Sequence, residues 1–117
     1  TLYDALSRQP WLLRGEAKPS SFNGFSPKEG EVFCSGDYEG ATDNLSLAAT
    51  MYLAKRILGR ARRVPLGIRQ YAFDSLSLDV DVDGEFYKQR RGQMMGSYLS
   101  FPLLCLHNYI MFRSEFG

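Results

Sequence analysis

The chain has 117 residues, of which 44% are hydrophobic and 14% aromatic, with a formal net charge of +1. That length bounds it to one small domain, and that apolar content supports a core and argues against disorder. No apolar run reaches the roughly 20 residues of a membrane span, so no transmembrane segment is expected.

Residues 1–14 suggest a short helix, with Leu2, Ala5, Leu6 and Trp11-Leu12-Leu13 as apolar contacts and Pro10 as a breaker. Residues 15–30 are rich in Gly, Ser, Pro and Asn and read as loop. Residues 31–38 read as a mostly buried strand ending in Asp37. A carboxylate at the end of a buried strand is costly without a cation beside it, and a divalent metal is the usual partner. Thr42 is a suitable N-cap for a helix over residues 43–58, with Leu45, Ala48, Ala49, Tyr52, Leu53 and Ile57 at helical spacing and Gly59 as the stop. Asp43 then lies in the first turn, where an acid suits the helix dipole.

Residues 61–65 form a basic connector. Two segments follow, residues 68–73 and 77–82, the second alternating Leu78, Val80 and Val82 against Ser77, Asp79 and Asp81. Asp83-Gly84 is a two-residue hairpin signal, with residues 85–89 as the return strand. Residues 92–96 are a glycine-bounded loop opening a helix over residues 97–114, with Pro102 in its first turns. The stripe Leu103, Leu106 and Ile110 reads as core. Cys34 and Cys105 both stand in apolar surroundings and read as buried, reduced thiols. No Cys or His pair has zinc-ligand spacing.

The small net charge hides segregated blocks. Lys55, Arg56, Arg60, Arg62, Arg63 and Arg69 form one basic zone, Lys88, Arg90 and Arg91 another, with Asp74, Asp79, Asp81, Asp83 and Glu85 between them. Such local fields attract polyanions; solvated helix and hairpin faces are the plainer reading of the same pattern.

Two constellations carry chemistry. Asp37 and Asp43 are acids separated by a turn; taken alone, they fit turn and helix-start residues as well as metal ligands. In Arg91-Gly92-Gln93-Met94-Met95-Gly96-Ser97, two glycines bound a loop before a helix N-terminus, where backbone N–H groups favour phosphate or sugar oxygens. Ser100, about one turn into that helix, is placed to reach a ribose; an ordinary loop before a core helix explains the segment equally well.

In this order, the pair is more specific. Ser35-Gly36-Asp37-Tyr38-Glu39-Gly40-Ala41-Thr42-Asp43-Asn44-Leu45-Ser46 resembles motif A of viral RNA-dependent RNA polymerases, and Arg91 to Ser97 through Ser100-Phe101-Pro102-Leu103-Leu104-Cys105 resembles motif B. The resemblance spans about residues 31–113 and points to the ourmia-like branch of positive-strand RNA viruses (botourmiaviruses), with narnaviruses and mitoviruses as relatives.

The resemblance implies an α+β fold, part of a right-hand polymerase palm and fingers, with a small antiparallel sheet and flanking helices. It divides the chain into residues 1–30 leading into the palm, 31–59 as motif A strand and helix, 60–90 as basic connector and β-hairpin, and 91–117 as motif B loop and helix. It assigns Asp37 as catalytic carboxylate and metal ligand for Mg²⁺ or Mn²⁺, and Asp43, Asn44 and Ser100 to nucleotide and ribose contact. Gly92, Gln93, Gly96 and Ser97 belong to the motif B loop, while Arg62, Arg63, Arg90 and Arg91 are expected against RNA phosphates. Leu104 stands where many relatives carry a ribose-contacting asparagine; Asn44 and Asn108 are the nearby amides.

The implied reaction is template-directed nucleotidyl transfer: a 3′-hydroxyl attacks the α-phosphate of a nucleoside triphosphate and pyrophosphate leaves. The implied partners are RNA template and product, nucleoside triphosphates and the rest of the polymerase, in host cytoplasm or alternatively mitochondria. The sequence contains no Gly-Asp-Asp of motif C and no motif F basic run. Its start at Thr1 and its stop at Gly117, just after an apolar helical pattern, suggest an internal slice of a longer polypeptide, inactive in isolation. A reverse transcriptase or other palm-type polymerase, and a non-catalytic RNA-binding module, are the competing readings.

Overall fold

A computed structural model describes residues 1–117 and contains five α-helices and one two-stranded antiparallel sheet, a mixed α and β composition. The helices are α1 (Leu2–Leu6), α2 (Ala41–Asn44), α3 (Leu47–Arg60), α4 (Leu66–Asp74) and α5 (Ser100–Phe116), and the strands are β1 (Asp79–Val82) and β2 (Glu85–Lys88). None of the helices is long and apolar enough to cross a membrane. The chain divides into two compact units, Thr1–Glu39 and Gly40–Gly117.

In the first unit, Thr1 caps α1. Its hydroxyl accepts from the Asp4 backbone N–H at 3.1 Å and donates to the Asp4 carboxylate at 2.6 Å. Arg14 donates to the other oxygen of that carboxylate at 2.6 Å, and its guanidinium lies over the Tyr3 ring. The Thr1 hydroxyl, followed by Arg14, holds the Asp4 carboxyl far below the usual carboxylate range. A 3₁₀ turn at Pro19–Phe22 is the remaining regular element.

The expected buried strand over residues 31–38 does not form; this stretch has no regular structure and every residue in it is exposed. A strand exists only through its partner's hydrogen bonds, and the one sheet of the chain pairs β1 with β2 alone. The pairing that a strand ending in Asp37 needs is therefore absent, and Cys34 is exposed instead of buried. Phe33 stacks at 5.1 Å on Phe25, which fixes some of this apolar surface locally.

The second unit holds the core. Ala54, Leu76 and Leu103 are buried, with Met51, Leu53, Ile57, Leu58, Phe73 and Leu99 packed around them. Helix α3 lies against α4 and α5, and α2 lies against α5. The expected single helix from residue 43 is instead two helices. Gly40 takes the left-handed conformation before α2, Leu45 turns extended (φ −60°, ψ 140°), and Ser46, not Thr42, caps α3 by accepting from the Ala49 N–H at 3.3 Å. Gly59 stays inside α3, whose last residue is Arg60 and whose C-cap is Ala61.

Residues 68–73 lie within helix α4, opened by Pro65, whose missing N–H costs nothing at a helix start. The hairpin follows its sequence signal. Asp83 and Gly84 have φ of 52° and 86°, the two positive values that a type I′ turn demands, and Val82 pairs with Glu85. The Gly84 N–H donates to the Asp81 carboxylate at 2.9 Å. Helix α5 starts at Ser100, three residues later than expected, with Pro102 in its first turn.

Candidate functional site

Asp37 belongs to the first unit. It is exposed, and its Oδ1 accepts from the N–H of Tyr38 at 2.9 Å. The other candidate residues lie in the second unit, where the break between α2 and α3 organises them.

In an uninterrupted helix, the carbonyl of Thr42 would accept from the N–H of residue 46, and that of Leu45 from the N–H of residue 49. The extended Leu45 removes both bonds from the helix, and the loop after β2 takes the two acceptors. The N–H of Gln93 donates to the Thr42 carbonyl and the N–H of Gly92 to the Leu45 carbonyl, each at 2.8 Å. Two segments far apart in sequence are thereby joined backbone to backbone.

The approach is close enough to require glycine. Gly92 is buried at φ 75°, and a Cβ built on it would lie 2.5 Å from the Asp43 carbonyl oxygen and 2.8 Å from that of Thr42. Gln93 follows, 5% exposed, and its Nε2 donates to Oγ1 of the fully buried Thr50 at 3.0 Å. Gln89 closes the loop from the hairpin side, donating to the Gly92 carbonyl at 2.6 Å. The rest of the loop is open: Met95 and Tyr98 are exposed, and nothing approaches within 4 Å of a Cβ at Gly96. The Ser97 N–H donates to the Met94 carbonyl at 3.0 Å.

Asp43 and Asn44 are exposed on α2, and the Asn44 amide donates to the Gly40 carbonyl at 3.0 Å. Ser100 is the first residue of α5 and is 1% exposed, its Oγ enclosed without a hydrogen-bond partner. In this arrangement that hydroxyl faces protein instead of solvent. Gln93 Oε1 is likewise enclosed and unpartnered. The Nδ1–H of His107 donates to the Leu103 carbonyl at 2.8 Å, leaving its Nε2 enclosed without a partner. Leu104 is half-buried and Asn108 exposed on α5. Arg62, Arg63, Arg90 and Arg91 are all exposed, the first two between α3 and α4 and the second two after β2.

The structure therefore brings Thr42, Asp43 and Leu45 together with Gly92 and Gln93. Thr50 completes the site and was not foreseen from sequence; a threonine on the buried face of a helix, where an aliphatic residue is expected, was the available signal. No group of three or more His, Cys, Asp or Glu side chains comes together to hold a metal ion. Asp37 offers one carboxylate, and the chain's own donors do not make a two-metal centre. No family model, curated protein or solved structure matches this chain.

Proposed function

We propose that this chain is part of the palm of a viral RNA-directed RNA polymerase of the ourmia-like type. The observation that carries the reading is the backbone junction of Thr42 and Leu45 with Gln93 and Gly92, which ties the motif A-like segment to the motif B-like loop. The resemblance requires those two segments to share one nucleotide site, and nothing in local secondary-structure preference would bring them together.

On this reading Asp43, exposed at the junction, accepts a hydrogen bond from the 2′-hydroxyl of the incoming ribonucleotide. Gly92 and Gln93 hold the near end of the loop while Met94 to Tyr98 stay open to template and nascent pair. Ser100 joins the site when the loop shifts and uncovers its hydroxyl. Asp37 contributes one carboxylate to a Mg²⁺ centre whose remaining ligands come from the rest of the polymerase. The exposed Arg62, Arg63, Arg90 and Arg91 contact RNA phosphates without reading sequence.

The test is primer extension on an RNA template by the complete polymerase. Asp37→Asn abolishes synthesis, and Asp43→Ala relaxes the preference for ribonucleotides over deoxynucleotides. A wild-type preference for deoxynucleotides would identify a reverse transcriptase instead. Undiminished synthesis by Asp37→Asn would refute the assignment and favour a non-catalytic RNA-binding module, a reading also supported by the absence of a strand beneath Asp37.

A further inference from the structure

Away from this junction, the face formed by α3 and α4 carries a second feature. A hollow of about 270 Å³ lies between the two helices, lined by Lys55, Leu58, Leu66, Arg69 and Phe73. A neighbouring hollow of about 410 Å³ is lined by Tyr52, Arg56 and Arg60. Lys55 and Gly59 line both, so the hollows adjoin: the groove between α3 and α4 opens onto the outer face of α3, which alone lines the second hollow.

The cations of this groove lack carboxylate partners. The ion pairs of the chain engage Asp4, and none involves Lys55, Arg56, Arg60 or Arg69. Arg69 is anchored by one long hydrogen bond from Nη1 to the Leu58 carbonyl at 3.4 Å, while its enclosed Nε has no partner. The aromatic groups lie among the charges. Tyr52 is 62% exposed beside Arg56 and Arg60, and Phe73 lines the hollow with Arg69.

We infer that the α3–α4 groove is a binding track for single-stranded nucleic acid. Lys55, Arg56, Arg60 and Arg69 neutralise successive phosphates, and Tyr52 offers a face on which a base stacks. Unpaired cations interleaved with aromatic rings along a groove are the chemistry of sequence-tolerant strand binding. An acidic peptide satisfies the charge but leaves the aromatic surface without a planar partner. The inference does not depend on the polymerase reading, because it concerns equilibrium binding and uses none of the residues assigned to catalysis.

The test is fluorescence anisotropy of the full chain with labelled oligo(rU) and oligo(dT), each measured between 50 and 200 mM salt. Lys55→Gln with Arg69→Gln is expected to weaken binding at least tenfold and to lower the salt slope by about 1.4, since each phosphate left without its cation removes roughly 0.7. Arg56→Gln with Arg60→Gln, both at exposed positions, repeats the test without touching the enclosed guanidinium. Tyr52→Leu is expected to cost about fivefold or more with the slope unchanged. Lys18→Gln with Lys28→Gln, exposed cations outside the groove with no assigned role, serves as the reference. Far-UV circular dichroism reports the fold of each variant. Absent binding by wild type, losses in the groove variants no greater than in the reference, or equal competition by polyglutamate or anionic vesicles would overturn the inference. Loss of synthesis in Asp37→Asn bears on the polymerase reading alone.

Discussion

Gly92→Ala tests the junction directly. The added Cβ meets the Asp43 carbonyl oxygen at 2.5 Å and its carbon at 2.8 Å, and both are backbone atoms that no rotamer change can move aside. The left-handed φ of 75° adds roughly 1–2 kcal/mol for a residue with a Cβ. Relieving the overlap by displacing α2 costs about 1–3 kcal/mol more, by analogy with overpacked cores. The expected total is roughly 2–5 kcal/mol, a large share of the 5–15 kcal/mol that holds a small domain together. Urea denaturation followed by far-UV circular dichroism measures it. Two companion variants separate the causes. Gly92→Asn tolerates the left-handed conformation but keeps the Cβ, so it retains the overlap cost. Gly96→Ala meets nothing within 4 Å and stays within about 0.5 kcal/mol of wild type. If Gly92→Ala were as stable as Gly96→Ala, the close approach of loop and helix would be refuted.

Further outcomes follow from the same structure. Thr50→Val strands the buried Gln93 amide and costs about 1–3 kcal/mol, read from the same denaturation curves. Ser46→Ala removes the cap of α3 and costs about 1 kcal/mol, whereas Thr42→Ala, whose carbonyl and not its side chain makes the junction, stays within about 0.5 kcal/mol. Burial pushes the Cys105 thiol above its ordinary value. Its stabilising contribution is present below the unfolded-state pKa and is lost as pH rises through the folded-state value. Alkylation mapped by mass spectrometry should find Cys105 reacting half-maximally at a higher pH in the folded chain than in urea, with the exposed Cys34 modified readily in both.

What could be read from sequence was the part written locally. Asp83-Gly84 dictates its turn because both residues accept positive φ, and α3 shows in its apolar spacing; of the stripe expected to be core in α5, Leu103 is buried, Leu106 half-buried and Ile110 exposed. Residues 31–38 misled because Val32-Phe33-Cys34 has strand composition, whereas a strand also needs a neighbour to bond with, and none is supplied here. Helix α4 was obscured by its exposed Leu66, Ile68 and Tyr71, which blur any apolar stripe; Pro65 was the better signal. The break at Leu45 had one local signal, Ser46, a residue type suited to an N-cap, but the acceptors it releases are taken by a loop far along the chain. The candidate site was legible as two motifs, but their junction and the part played by Thr50 were tertiary facts.

The division of the chain at Glu39 has a practical consequence for spectroscopy. The one indole, Trp11, resides among residues 1–39, whereas the packed apolar cluster is built wholly from later residues. Tryptophan emission therefore reports on the surroundings of an amino-terminal residue, and no tryptophan belongs to the cluster around Leu103. Moving the reporter, by placing a tryptophan at Phe73 in an otherwise Trp11→Phe background, would turn the same instrument onto the other unit.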